Sequence, residues 1–170
     1  VTDTLLVPTM IGILLEYQAV AHADLCSLKR LFYGGSPISE STLLRLAEVL
    51  PGCQPFQLYG QTEAAPVISM LKPKHHSRQG NRLRSAGLPL PGVDVRVVDG
   101  DDRDCGPGEV GEVIARGLNV MQGYWSDETS TDAALRGGWL RTGDAGYLVP
   151  LEQAMDGKGM VDLEHGSSFP

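Results

Sequence analysis

From Leu28 to Gly60 the chain repeats one pattern: a short apolar run stopped by glycine, a helical stretch, then another such run. "LKRLFYGG" stops at Gly34 and Gly35, and "QPFQLYG" stops at Gly60. Between them, "SESTLLRLAEVLPG" spaces its apolar residues for a helix, with Leu43, Ala47 and Leu50 on one face and Leu44 and Leu46 widening it. Ser39 is placed to cap that helix, and Pro51-Gly52 stops it. Upstream, "TLLVPTM" reads as a strand ended by Pro8 and "TMIGILLEYQAV" as a helix despite Gly12; downstream, "VISML" reads as a fourth strand. Strands alternating with helices predict an α/β layer with parallel strands.

The pattern changes after "KPKHHSRQGNRLR", a basic polar stretch that reads as an exposed loop. In "GVDVRVVDG", Val93, Val95 and Val97 alternate with Asp94 and Arg96, as in a half-buried strand. "DGDDRDCGPGEVG" is dense in turn residues and reads as a hairpin connection returning through "EVIARG". "SDETSTDAAL" predicts a short helix, and "GWLRTGDAGYLV" two short strands around a Gly-Asp turn. The predicted organisation is therefore a partial α/β layer over 1–83, a β-rich subdomain over 84–148 and a tail without sustained period over 149–170.

Composition removes several classes of function. Net charge is −7, the wrong sign for a surface whose main task is to bind phosphate backbones, so no nucleic-acid partner is expected. No apolar run reaches the roughly 18 residues of a membrane span. Cys26, Cys53 and Cys105 are too few and too scattered for a disulfide framework or a zinc site, and they read as thiols in a reducing cytoplasm. His75-His76 has no third ligand at metal spacing and reads as a solvated pair. The acidic run Asp99 to Asp104 lacks a calcium-loop pattern and reads as a solvated hairpin tip.

Chemistry concentrates where apolar runs end. In α/β sheets ligands sit beyond the carboxyl ends of parallel strands. "YGGSP" (33–37) and "YGQTE" (59–63) both occupy such ends, and "RTGD" (141–144) adds a third turn with a carboxylate. Tyr59 can stack on a base, Thr62 can donate to a phosphate oxygen, Glu63 can hold Mg²⁺, and Asp144 can accept hydrogen bonds from a ribose diol. Taken singly, each feature has an ordinary structural reading: a turn after a strand, a capping threonine, a surface Thr-Gly-Asp turn.

Taken together, "YGGSP", "LYGQTE", "SAGLPLPGVDVRVVD", "GEVGEVIARGLNVMQGYW" and "GGWLRTGDAGYL" occur in the order found in the adenylate-forming superfamily, and the chain resembles its acyl-CoA synthetase branch from Val1 to Leu148. The resemblance implies a fragment of an adenylate-forming N-terminal domain. It implies that Gly35, Ser36 and Pro37 cover one face of adenine and Tyr59 the other. Thr62 meets the α-phosphate, Glu63 the Mg²⁺ and Asp144 the ribose hydroxyls, which makes Thr62 and Glu63 the candidate catalytic residues. Gly60, Gln61, Ala64 and Ala65 border the acyl or aryl group. The implied ligands are ATP, Mg²⁺, coenzyme A and a small-molecule carboxylic acid. The implied reaction joins the acid to AMP and then passes it to a thiol. "GPGEVGE" and "GYW" fall in the family's structural β-rich part.

The family's phosphate loop and its lysine-bearing C-terminal domain have no counterpart in these residues, and Val149 onward matches no family motif. Lys158 carries no role. The expectation is that the isolated chain is inactive. The alternative reading is a non-catalytic remnant, a weak nucleotide-binding or interaction protein.

Overall fold

The computed structural model describes residues 1–76, 83, 85–149 and 160–168, with side-chain surroundings up to residue 163. The chain divides into two units, Val1–Leu58 with Leu71–Arg84, and Tyr59–Met70 with Ser85–Pro170.

The first unit is the predicted α/β layer. Strands β1 (Asp3–Leu6), β2 (Arg30–Gly34) and β3 (Gln54–Tyr59) run parallel, with Thr4 opposite Leu31 and Phe32 opposite Phe56. Helix α1 (Pro8–Glu16) connects β1 towards β2, and α2 (Glu40–Val49) connects β2 to β3. Pro8 opens α1 rather than simply ending a strand, because its missing N–H falls where a helix leaves an unbonded donor anyway. Ser39 caps α2 as predicted, its Oγ accepting from Thr42 N at 3.1 Å. The buried face of α2 runs through Leu43, Leu46 and Leu50, while Ala47 is exposed. The larger leucines win the core face, and the small residue turns outward. With Ile11 and Leu15 of α1 and Leu31 and Tyr33 of β2 they form one apolar cluster. Met10, Ile13 and Tyr17 leave an exposed apolar stripe on and just beyond α1.

His76 departs from the solvated pair expected of it. Its Nδ1 lies 3.1 Å from Lys72 O and its Nε2 lies 2.9 Å from Tyr33 Oη, and Tyr33 is fully buried. A carbonyl only accepts, so Nδ1 carries the proton, and the phenol has one proton to share between Nε2 of the neutral ring and Gln57 Oε1 at 3.3 Å. Burial pulls the His76 pKa below its ordinary value.

The second unit is antiparallel. Strands β4 (Ser69–Leu71), β5 (Ser85–Pro89), β6 (Val93–Val98), β7 (Gly111–Gly117), β8 (Leu140–Val149) and β9 (Met160–Ser168) lie in the order β4-β5-β9-β8-β7-β6. Helix α3 (Glu128–Ala134) carries an Asp127 cap. The segment read as a tail without period thus contains a strand between β5 and β8, with Met160 and Val161 buried. "GWLRTGDAGYLV" is one strand, not two. Ile114 pairs with Arg141 and Glu112 with Ala145, so Thr142, Gly143 and Asp144 stand opposite Val113 alone. The strand bulges there rather than turning.

The connection from β3 to β4 returns sharply. Ile68 N donates to Tyr59 O at 2.8 Å. A Cβ on Gly60 would overlap the Pro66 carbonyl oxygen and lie 2.8 Å from Ile68 N. Tyr59, Ala64 and Ile68 join the core of this unit with Val97, Val113 and Leu140. Among the described residues no helix is long and apolar enough to cross a membrane, and the three cysteines are free thiols.

Two outcomes follow from these contacts. Because folding lowers the His76 pKa, the unfolded chain binds more protons near its ordinary value of 6.5. The stability contributed by neutral His76 is complete above that value and is lost as pH falls below it. Urea midpoints measured from about pH 7.5 down to about pH 5.5 are expected to fall, with a shallower slope in His76→Gln; equal slopes would show that the ring protonates freely in the fold. Gly60→Ala is expected to cost about 3 kcal/mol, since backbone rather than a flexible side chain must yield. Gly100→Ala, where a Cβ meets open space, is expected to stay within about 0.5 kcal/mol of the parent.

Candidate nucleotide and acid site

The bulge in β8 is a built feature. Thr142 Oγ1 donates to Val113 O at 2.6 Å and accepts from Asp144 N at 3.1 Å. Glu112, 8% exposed on the neighbouring strand, uses both carboxylate oxygens: Oε2 accepts from Arg141 Nη1 at 2.8 Å and Oε1 from Gly143 N at 3.2 Å. A carboxylate this buried is tolerable only with such partners. Three residues are thereby held out of register with β7 at the bulge that carries Asp144.

Asp144 meets Tyr59. The Tyr59 hydroxyl donates to Asp144 Oδ2 at 2.8 Å across 85 residues of sequence. Tyr59 is 8% exposed, and burial, more than its polar neighbours, pushes its phenol pKa far up, so it stays a donor. Two residues singled out in separate motifs, one at a strand end and one in a turn, are thus joined within one unit.

The loop after Tyr59 sorts its side chains. Thr62 and Ala65 are exposed, Gln61 and Glu63 half-buried, and Ala64 fully buried in the core cluster. Thr62–Ala64 make one turn of 3₁₀ helix, ended by Ala65 at φ 51. A left-handed conformation at a non-glycine residue costs about 1–2 kcal/mol, so the surroundings must hold this turn. Asn119 does so, its Nδ2 donating to Ala64 O at 2.8 Å and Val67 O at 3.0 Å. Met121 N donates to Glu63 O at 2.7 Å. The Glu63 carboxylate accepts from the Tyr124 hydroxyl at 2.6 Å, and that hydrogen bond holds its pKa below the ordinary carboxylate value.

Gly35, Ser36 and Pro37 occupy an exposed loop after β2 in the first unit, with Gly35 at φ 80. Tyr59 to Ala65 and Asp144 belong to the second. Sequence reasoning missed Glu112, Asn119, Tyr124 and Thr142 as supports of the site. Glu112 and Tyr124 lay inside motifs assigned to structure, Asn119 was quoted only within a longer motif, and Thr142 only as part of the Asp144 turn. Among the described residues no cluster of three His, Cys, Asp or Glu side chains could hold a metal. A cavity of about 640 Å³ in the first unit, lined by Leu25, Cys26, Lys29, Leu50 and Cys53 among others, includes none of the predicted site residues.

Comparison with known proteins identifies the family. A family model described as AMP-binding enzyme matches residues 1–125. The chain is 39% identical over 148 residues to the fatty acid–[acyl-carrier-protein] ligase ScoC of Streptomyces coeruleorubidus, an alignment covering 87% of this chain and 28% of that protein. The amide bond synthetase McbA from Marinactinospora thermotolerans superposes with a TM-score of 0.83 at 37% identity, over 96% of this chain and 31% of its own. The o-succinylbenzoate coenzyme A synthetase of Bacillus subtilis, in complex with ATP and magnesium ion, superposes with a TM-score of 0.78 at 32% identity, over 96% of this chain and 31% of its own. The chain therefore spans less than a third of each of these relatives. Its fold is that of the adenylate-forming enzymes, and it belongs to the AMP-binding enzyme family.

Proposed function

We propose that this chain carries nucleotide- and acid-binding parts of an ATP-dependent acid ligase of the acyl-CoA synthetase type. The observation that carries the reading is the Tyr59–Asp144 contact, which assembles a tyrosine and a carboxylate from motifs 85 residues apart. Asp144 accepts the ribose hydroxyls through Oδ1, while Tyr59 holds Oδ2 and sets the carboxylate's rotation. The ring of Tyr59 borders the base. Thr62, exposed at the start of its turn, donates to the α-phosphate.

The donor set at Glu63 fits a hard divalent cation. Mg²⁺ takes oxygen ligands, usually one or two carboxylates with the remainder from phosphates and water, and Glu63 offers a half-buried carboxylate with one oxygen engaged by Tyr124. When bound there, Mg²⁺ neutralises charge on the phosphates during attack by the acid. The protein's own part is to hold acid and nucleotide in line and to exclude alternatives. Gly60, Gln61, Ala64 and Ala65 border the acyl or aryl group, with the Ala64 methyl turned into the core.

The acid attacks the α-phosphorus through a carboxylate oxygen, pyrophosphate leaves, and an acceptor thiol then displaces AMP from the carbonyl carbon. Coenzyme A is the acceptor we favour, in line with the coenzyme A synthetase among the relatives. The free thiols suit a reducing cytoplasm.

Calorimetry of AMP against the 170-residue chain tests the reading. Asp144→Ala is expected to weaken AMP about 10- to 100-fold, the equivalent of about 1.5–3 kcal/mol for a lost hydrogen bond to a charged group. Glu63→Ala is expected to leave metal-free AMP binding unchanged. Unaltered AMP affinity in Asp144→Ala would remove Asp144 from the site and the proposal with it.

A further inference from the structure

The Glu63 carboxylate is gripped rather than free to wander. Its Oε1 takes the Tyr124 hydroxyl at 2.6 Å, 61 residues away in sequence, and its backbone carbonyl takes Met121 N at 2.7 Å. Both contacts come from the same short segment, which also fastens the next residue through Asn119 and Ala64 O. Tyr124 is fixed in turn. Its N donates to Thr131 Oγ1 at 2.9 Å, and Thr131 Oγ1 donates to Asp127 O at 2.6 Å, which ties Tyr124 to the first turn of α3. Tyr124 is 40% exposed, so its ring contributes little to a core, and its hydroxyl lies where the hydrogen bond to Glu63 needs it.

A carboxylate on a partly exposed three-bond side chain samples several rotamers, and fixing one costs entropy at the moment a ligand binds. A short hydrogen bond from a phenol to an ionised oxygen is among the stronger neutral-to-charged contacts. Made in advance, it leaves less ordering to be done on binding. It also distinguishes the two oxygens, since Oε1 is the one engaged by the Tyr124 hydroxyl.

We propose that Tyr124 is a positioning residue for divalent-cation binding, its hydroxyl holding Oε1 of Glu63 so that Oε2 is the oxygen presented to a cation travelling with nucleotide phosphates. The inference rests on the reading of Glu63 as the metal ligand. A purely structural latch would have a different signature, because it would serve fold stability and metal-free binding as much as the metal.

Manganese, which reports on the same hard-cation chemistry, allows the test without turnover. Free Mn²⁺ is counted by electron paramagnetic resonance during titration into the 170-residue chain with ATP present, for the parent, Tyr124→Phe, Glu63→Ala and the double variant. Urea midpoints and metal-free adenosine affinity are measured alongside. Tyr124→Phe is expected to weaken Mn²⁺ binding about tenfold, the lower end for loss of a ligand's hydrogen-bonded support, with midpoint and adenosine affinity unchanged. In the Glu63→Ala background the same change is expected to add nothing, since the hydroxyl acts only through that carboxylate. Mn²⁺ affinity within twofold of the parent in Tyr124→Phe, with Glu63→Ala impaired, would overturn the inference and leave the reading of Glu63 standing. A parallel fall in midpoint or adenosine affinity would make Tyr124 a latch and overturn it as well. Equal Mn²⁺ behaviour of the parent and Glu63→Ala would remove Glu63 as a ligand, and the inference would fall with it.

Discussion

Glu112 is the buried carboxylate on which the geometry around Asp144 and Tyr59 depends. At 8% exposure it must have partners for both oxygens, and it finds them in Arg141 and the backbone N–H of Gly143. Leaving such a group half-satisfied costs several kcal/mol, so the strand opposite is constrained to supply that N–H. It does so by bulging. The bulge takes Asp144 out of register with β7, Asp144 receives the Tyr59 hydroxyl, and Tyr59 begins the loop that presents Thr62 and Glu63. A core requirement on β7 is thereby passed to the loop after Tyr59 through two hydrogen bonds, Gly143 to Glu112 and Tyr59 to Asp144.

The same economy governs the loop itself. Tyr59 and Ala64 are core residues, and the exposed residues between and beside them have little freedom left. The close approach at Gly60, the left-handed Ala65 and the double donation by Asn119 all shorten the path from Tyr59 to Ile68. Backbone held this tightly is costly, and it persists only where surroundings over-determine it. Here they do, from both the core and the segment around Tyr124. The proposed ligand groups therefore sit on preorganised backbone, which is what catalysis by positioning requires.

Much of this was legible in the residues, and the failures have identifiable causes. Helix α2, its Ser39 cap and the parallel strands ending at glycine follow from local rules, because capping and amphipathic spacing act over a few residues. The motifs around Tyr59 and Asp144 were legible as chemistry only together, because their order along the chain resembles the adenylate-forming pattern while each alone reads as an ordinary turn. The assignment of Ala47 to the buried face failed because helical spacing alone does not say which of several apolar residues packs; volume decided for Leu46. The bulge was read as a turn because Thr-Gly-Asp suits both, and only the register with β7 tells them apart. Strand β9 has no period of its own; its place between β5 and β8 is set by partners distant in sequence. Tyr124 looked structural because its partner lies 61 residues away.

The central claim is that the loop after Tyr59 and the bulge at Asp144 form one nucleotide-binding surface. Backbone amide chemical shifts of the 170-residue chain, followed by NMR through a titration with AMP, test it most directly. The account predicts that the largest shifts fall on Gly60 to Glu63 and on Thr142 to Ala145, moving together along a single binding curve. Shifts centred instead on the cavity lined by Leu25, Cys26, Leu50 and Cys53, or two segments titrating with different affinities, would contradict it.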